Sequence, residues 1–134
     1  MAGLDLSSLS KALRSLQRAV DRSIVDTSDE EVRDAVIQRF EYSYELCWKM
    51  LKRTIERESP VPAEVDRMSF RELVREGGER GIIAHVERWM EYRSQRNITS
   101  HIYNESKALS VYQTALRFLP DALSLLTELQ SRNR

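Results

Sequence analysis

Residues 4–23 read LDLSSLSKALRSLQRAVDRS, and within them Leu6, Leu9, Leu13, Leu16 and Val20 recur at intervals of three, four, three and four residues. That alternation lays the five side chains along one stripe of an α-helix, which predicts a helix from about Leu4 to Ser23. Reading outward, Asp26-Thr27-Ser28 ends this helix. Ser28 with Glu31 three residues later makes a capping box, and Asp29 and Glu30 suit the positive end of a helix dipole. A second helix is expected from about Asp29 to Arg57, with Val32, Val36, Phe40, Tyr44, Cys47, Leu51 and Ile55 as its apolar stripe. Ser59-Pro60-Val61-Pro62 opens a loop, because proline and the residue before it resist the helical conformation.

Ser69 and Glu72 form a second capping box, starting a short helix that Gly77-Gly78 is expected to close. A further helix is expected from about Ile82 to Asn97, with Ile83, Val86, Trp89, Met90 and Arg93 on one side. The last helix begins near Asn104, with Leu109, Tyr112, Leu116, Leu119, Leu123 and Leu126 as its stripe and a kink at Pro120. The expected architecture is all-α: one domain over residues 1–134, an antiparallel four-helix up-and-down bundle with one extra short helix. The stripes on the first and last helices exceed what one small bundle must bury, so a homodimer is expected.

Composition narrows the classes. The chain has 134 residues, 41% hydrophobic and 31% charged, with only 4 Gly and 3 Pro. It is long enough for one packed core and too poor in turn residues for a β-sandwich. No apolar run approaches the roughly 18 residues of a membrane helix, and no basic-then-apolar leader precedes Leu16, so no membrane association and a cytoplasmic location are expected. The single cysteine, Cys47, lies on the core stripe and is expected to be inert. The 21 basic and 21 acidic residues balance. A chain gripping long duplex nucleic acid through many phosphates is usually basic, so a small local site is the remaining option.

The stretch with chemistry is Arg96-Asn97-Ile98-Thr99-Ser100-His101-Ile102-Tyr103. It puts a permanent cation, an imidazole and a phenol within eight residues. In one unbroken helix Arg96 and His101 would lie about 140° apart. The β-branched residues and the backbone-competing Thr99 and Ser100 predict a break instead, one that lets the two side chains meet at the mouth of the bundle. Arginine beside histidine suits phosphodiester chemistry. The guanidinium holds phosphate oxygens and stabilises developing charge, and the imidazole takes a proton from a hydroxyl, on RNA the ribose 2′-OH, with no metal or cofactor required. The plain structural alternative is a capped helix end, with Arg96 in a surface ion pair and His101 half buried.

Arg96, Asn97, His101 and Tyr103 spell R-N-x3-H-x-Y, which resembles the motif of the HEPN superfamily of helical-bundle proteins. RFEYSYELCWKML over residues 39–51, with Phe40-Glu41, Glu45-Leu46 and Trp48-Lys49, is similar to its nucleotidyltransferase substrate-binding branch, which includes the HepT toxins. Ser69-Phe70-Arg71-Glu72-Leu73, then Gly81-Ile82-Ile83 and Trp89, resemble the same branch. The resemblance spans about Leu4 to Leu129. It implies a dimer with the motif near the interface and a metal-independent ribonuclease toxin acting on RNA such as tRNA or mRNA. It further implies a cognate minimal nucleotidyltransferase antitoxin that transfers AMP to Tyr103. On this resemblance Arg96 would bind and stabilise the phosphate, His101 would be general base or acid, and Asn97 would orient the pair. Other members of the branch are binding subunits for the transferase, so a non-catalytic substrate-presenting role is the alternative, and a plain dimeric bundle a third.

Other residues have plainer readings. Glu41 and Glu45 lie one turn apart; Lys49 at i+4 and nearby Lys52 suggest a surface ion-pair ladder. The resemblance implies that the two carboxylates line the cleft without doing the chemistry. Trp48 and Trp89 fall on helical apolar spacing and are expected to pack rather than to stack on bases. His85 has no metal-ligand spacing with His101 and is expected at the surface, so no metal site is expected.

Overall fold

A computed structural model describes residues 3–133, and among these the chain is helical with no strand. The elements are α1 (Ser7–Val25), α2 (Glu30–Glu58), α3 (Pro62–Asp66), α4 (Phe70–Glu79), α5 (Val86–Arg96), a 3₁₀ turn (Thr99–His101) and α6 (Glu105–Arg132). The long α2 lies at the centre of the bundle. It packs on α1 and α6, and α3, α4, α5 and the 3₁₀ turn also touch it. The expected stripe of α1 is buried, with Leu9, Leu13 and Leu16 fully enclosed.

Four features of the helix boundaries depart from expectation. The cap of α2 is Asp29, whose carboxylate accepts from the backbone N–H of Glu31 and Val32. Ser28 is diverted: its hydroxyl donates to Asp26 at 2.6 Å, closing the turn between α1 and α2. The segment after Pro60 is not all loop. Pro62 occupies the first turn of the short α3, a position where its missing N–H costs nothing.

The Ser69–Glu72 capping box forms in full, but Gly77-Gly78 does not end α4. The helix runs on to Glu79 and stops at Gly81, whose φ of +75° is the left-handed conformation glycine supplies cheaply. The Ile82 N–H donates to the Gly77 carbonyl and the Gly81 N–H to that of Gly78, a Schellman stop. Gly77 is needed for space instead, since a Cβ there would lie 3.1 Å from Leu51 Cδ1 and 3.2 Å from Ile83 Cδ1. Consequently Ile82 and Ile83 are buried in the connection, and α5 starts four residues later than expected, at Val86.

The stripe of α6 is only partly the expected one: Leu119 and Leu126 are buried as expected, and the other four are not. Leu109 and Leu123 are exposed and Tyr112 and Leu116 half-buried, while Ala108, Val111, Ala115, Phe118, Ala122 and Leu125 face the core. Small alanines at the core allow α6 to lie close to its neighbours. Pro120 sits on the exposed side and the helix continues through it. Phe118 is the hub of the core. Its ring makes edge-to-face contacts with Phe40 at 5.0 Å, Tyr92 at 5.3 Å and Trp89 at 5.8 Å between centroids. Trp89 is therefore a packing residue, as its spacing suggested.

Candidate functional site

The site lies where α5 ends. The α-helix stops at Arg96, Asn97 is its C-cap, and the chain turns through the 3₁₀ segment before Asn104 caps α6 with its side-chain oxygen on the Lys107 N–H. The expected break at Ile98–Ser100 is thus present. Thr99 drives it: its hydroxyl donates to the Arg96 carbonyl at 2.8 Å, satisfying an acceptor that a continued helix would use. Thr99 is itself buried, which pins the turn to the bundle.

The break was expected to let Arg96 and His101 meet, but among the described residues the two share no hydrogen bond. Arg96 turns instead toward α2, with Nη2 3.5 Å from Glu41 Oε1 and Nε 3.3 Å from Glu45 Oε1. Its Nε is buried and has no hydrogen-bond partner, so the carboxylates neutralise the cation without satisfying it. The expected ion-pair ladder along α2 is replaced by this inter-helix clamp. Lys49 lies over the Trp48 ring at 6.0 Å, and Lys52 pairs with Asp66 at 3.0 Å.

His101 is exposed rather than half-buried, and so is Tyr103, at 83% of its full surface. The Tyr103 hydroxyl and His101 Nδ1 are 3.4 Å apart, a long hydrogen bond. Asn97 is also exposed. The turn after α5 therefore offers an imidazole and a phenol to solvent, while the guanidinium at the end of α5 is held by carboxylates of α2. His85 is exposed at the other end of α5. Among the described residues no three His, Cys, Asp or Glu side chains gather as metal ligands.

A cavity of about 400 Å³ opens next to Arg96. Tyr44 and Trp48 from α2 and Phe70 from α4 give it aromatic walls, and Val65, Met68 and Leu73 line it further. Lys52, Arg93 and Arg96 supply cations, opposed among the lining side chains by Glu45 alone. Trp48 packs against the core as expected, and its half-buried ring also forms a wall of this cavity, with its indole N–H donating to Glu45 at 3.1 Å. Burial raises the Tyr44 phenol far above the usual range, so it remains a neutral O–H donor. Sequence reading missed this cavity, because its walls come from α2, α3, α4 and α5 and no local spacing links them.

The comparisons with known proteins agree with the helical fold. Residues 4–131 match the model of the family described as nucleotidyltransferase substrate binding protein like. A Haemophilus influenzae protein named probable ribonuclease HepT is 35% identical over 139 residues, spanning 98% of this chain and 95% of its own. A solved Haemophilus influenzae structure, described as revealing the fold of a substrate binding domain of a nucleotidyltransferase, superposes with a TM-score of 0.86. It is 33% identical, and the match covers 94% of this chain and 99% of that one. A crystal structure of a Thermus thermophilus protein superposes with a TM-score of 0.66 at 27% identity, covering 92% of this chain and 97% of that one. The chain therefore belongs to the nucleotidyltransferase substrate-binding-protein-like family, the HepT-like branch of the HEPN superfamily.

Proposed function

We propose that this chain is a HepT-like endoribonuclease toxin that cleaves RNA, with tRNA or mRNA as substrate, by attack of the ribose 2′-OH on the adjacent phosphate. The observation that carries this reading is the solvent-facing His101, set by a 3₁₀ turn five residues past a guanidinium that anchors at the end of α5. In the proposed reaction His101 removes the 2′-OH proton. Arg96 leaves its carboxylates to hold the phosphate and stabilise charge on the pentacoordinate centre, and the 5′-oxygen departs with a proton taken from solvent water. The products are a 2′,3′-cyclic phosphate and a 5′-hydroxyl end, and no step requires a metal. Asn97 orients the pair.

A homodimer completes the reading: exposed Leu109 and Leu123, seven residues either side of half-buried Leu116, leave α6 an apolar seam. A cognate minimal nucleotidyltransferase is the proposed antitoxin, transferring AMP to the Tyr103 hydroxyl. An attached AMP would put its phosphate beside His101 and Arg96 and repel substrate. The alternative, a non-catalytic substrate-binding subunit of a nucleotidyltransferase, is favoured by one observation. Arg96 is already held by Glu41 and Glu45 and so is not free to meet a phosphate.

Purified protein incubated with tRNA and with mRNA, with and without EDTA, separates the two. Cleavage that survives EDTA, leaves cyclic phosphate ends and falls by about 10²-fold or more in both His101→Ala and Arg96→Ala supports the ribonuclease. Parent-rate cleavage by both variants, or none by the parent, refutes it.

A further inference from the structure

We propose that the cavity between α2, α3, α4 and α5 binds one nucleotide unit, its base stacked on Trp48 and its phosphate held at the Arg93–Arg96 side. The site deepens the ribonuclease reading and rests on it for the source of the nucleotide, which would be the residue flanking the cleaved bond. The cavity's own features define the ligand class. Its volume of about 400 Å³ lies in the range of about 300–1,000 Å³ typical of small-ligand sites. Its walls are aromatic, and its cations outnumber its carboxylates, a combination that suits a flat heteroaromatic ring joined to an anion.

Individual groups have free capacity for such a ligand. Trp48 is half-buried and faces the cavity as a wall of α2. Tyr44 is 3% exposed and its hydroxyl makes no hydrogen bond among the described residues, although it is a neutral donor. Ser69 accepts from the Glu72 N–H as a helix cap, which leaves its own hydroxyl proton to donate. Arg93 lies 4.8 Å from the centroid of Phe70 and is held there by the ring, with its N–H groups unpaired by any carboxylate among the described residues. Arg96 Nε is a buried donor that no group satisfies. A phosphate arriving at this edge would meet two arginines, Arg93 without a carboxylate partner among the described residues and Arg96 held by Glu41 and Glu45, which it must displace. A base entering beyond it would exchange water for an indole face and hydroxyl donors.

The test reads intrinsic tryptophan fluorescence during titration with 5′-AMP, with ribose 5-phosphate and with an uncleavable 2′-O-methyl hexanucleotide. Trp89 is buried, so quenching reports Trp48. Quenching by AMP or the hexanucleotide is expected, with ribose 5-phosphate weaker by tenfold or more. Trp48→Leu should weaken binding by about five- to 150-fold, the loss of one stacked base, measured by calorimetry because the reporter is gone. Trp48→Phe keeps an aromatic face and should restore most of the affinity. Binding of the hexanucleotide in competition with AMP assigns the nucleotide to an RNA chain; binding of AMP alone assigns it to a free mononucleotide. Equal affinity for ribose 5-phosphate and AMP, no binding of any probe, or parent affinity in Trp48→Leu overturns the proposal. If His101→Ala stops cleavage while Trp48→Leu binds and cleaves like the parent, the cavity assignment fails and the ribonuclease reading stands. If no RNA is cleaved but nucleotide binding depends on Trp48, the reverse holds.

Discussion

The clamp on Arg96 makes a prediction whose sign distinguishes two roles for its carboxylates. Glu41 and Glu45 lie 3.5 Å and 3.3 Å from the guanidinium, and the three side chains are 31–40% exposed. Ion pairs at that exposure contribute about 0.2–1 kcal/mol each. A phosphate that takes Arg96 must displace both, so neutralising them as Glu41→Gln/Glu45→Gln should return about 0.4–2 kcal/mol to anion binding. At about 1.4 kcal/mol per decade this is a roughly two- to thirtyfold gain in affinity. Glutamine at 45 also keeps an oxygen to accept the Trp48 indole N–H, so the cavity wall stays in place. The assay is fluorescence anisotropy with a labelled 2′-O-methyl oligonucleotide, repeated at low and at high salt, alongside steady-state cleavage of tRNA. Tighter binding with kcat held near the parent value is expected, the gain shrinking as salt screens the exposed charges. Were either carboxylate a general acid or base, kcat would fall by about 10²–10⁴ instead. Unchanged or weaker binding would refute the competition argument, and a collapse of kcat would refute the non-chemical role of the pair.

Phe118→Ala should destabilise the fold by about 3–5 kcal/mol in urea unfolding, because it empties the centre of a fully buried ring cluster; a loss below about 1 kcal/mol would show the cluster to be loosely packed. Cys47 is fully buried and its thiol is pushed well above the ordinary range by desolvation, so it is neutral at pH 7. It should resist alkylation in the native protein and react once urea unfolds it; fast native labelling would contradict this packing. Leu109→Lys/Leu116→Lys should convert a dimer to a monomer in light scattering, since both lie on the apolar seam of α6; a parent that is already monomeric removes that role from the seam.

What could be read in the sequence was what neighbouring residues decide among themselves. The Ser69–Glu72 box is a reciprocal pair three residues apart and forms as written. The break after Arg96 follows from Thr99 bonding locally to the backbone. The phase of α6 was only partly legible this way: Leu119 and Leu126 are buried as their spacing suggested, but the rest of the stripe is not. Leu109, Leu116 and Leu123 mark a stripe by their hydrophobicity, but Ala108, Ala115 and Ala122, one residue earlier at the same spacing, are the ones enclosed. Which set is buried depends on how closely α6 approaches its neighbours, and close approach rewards small side chains over large ones. The two glycines of α4 mislead for a related reason: Gly77 makes room for Leu51 and Ile83, contacts that a helix-stop rule does not consider. At the site, the residue types in 96–103 were visible, but the grip of Glu41 and Glu45 on Arg96 joins positions more than fifty residues apart and depends on how α5 lies across α2.

The two ends of the described chain hold each other. Asn133 accepts from the Leu4 N–H at 2.5 Å and donates to the Leu4 carbonyl at 2.6 Å, mimicking a strand pair, while Arg57 donates to the same amide oxygen at 3.0 Å. The polypeptide is in this sense a ring cut at one point. A few residues of linker would join position 133 to position 4 without stretching the backbone, and the cut could be moved to the exposed Pro60–Val61 connection. Such a permuted protein would keep α2 and α5, and with them the Arg96 clamp, uninterrupted. It would also place both new ends beside α3, at a different point on the bundle for attachment to a surface or a second domain.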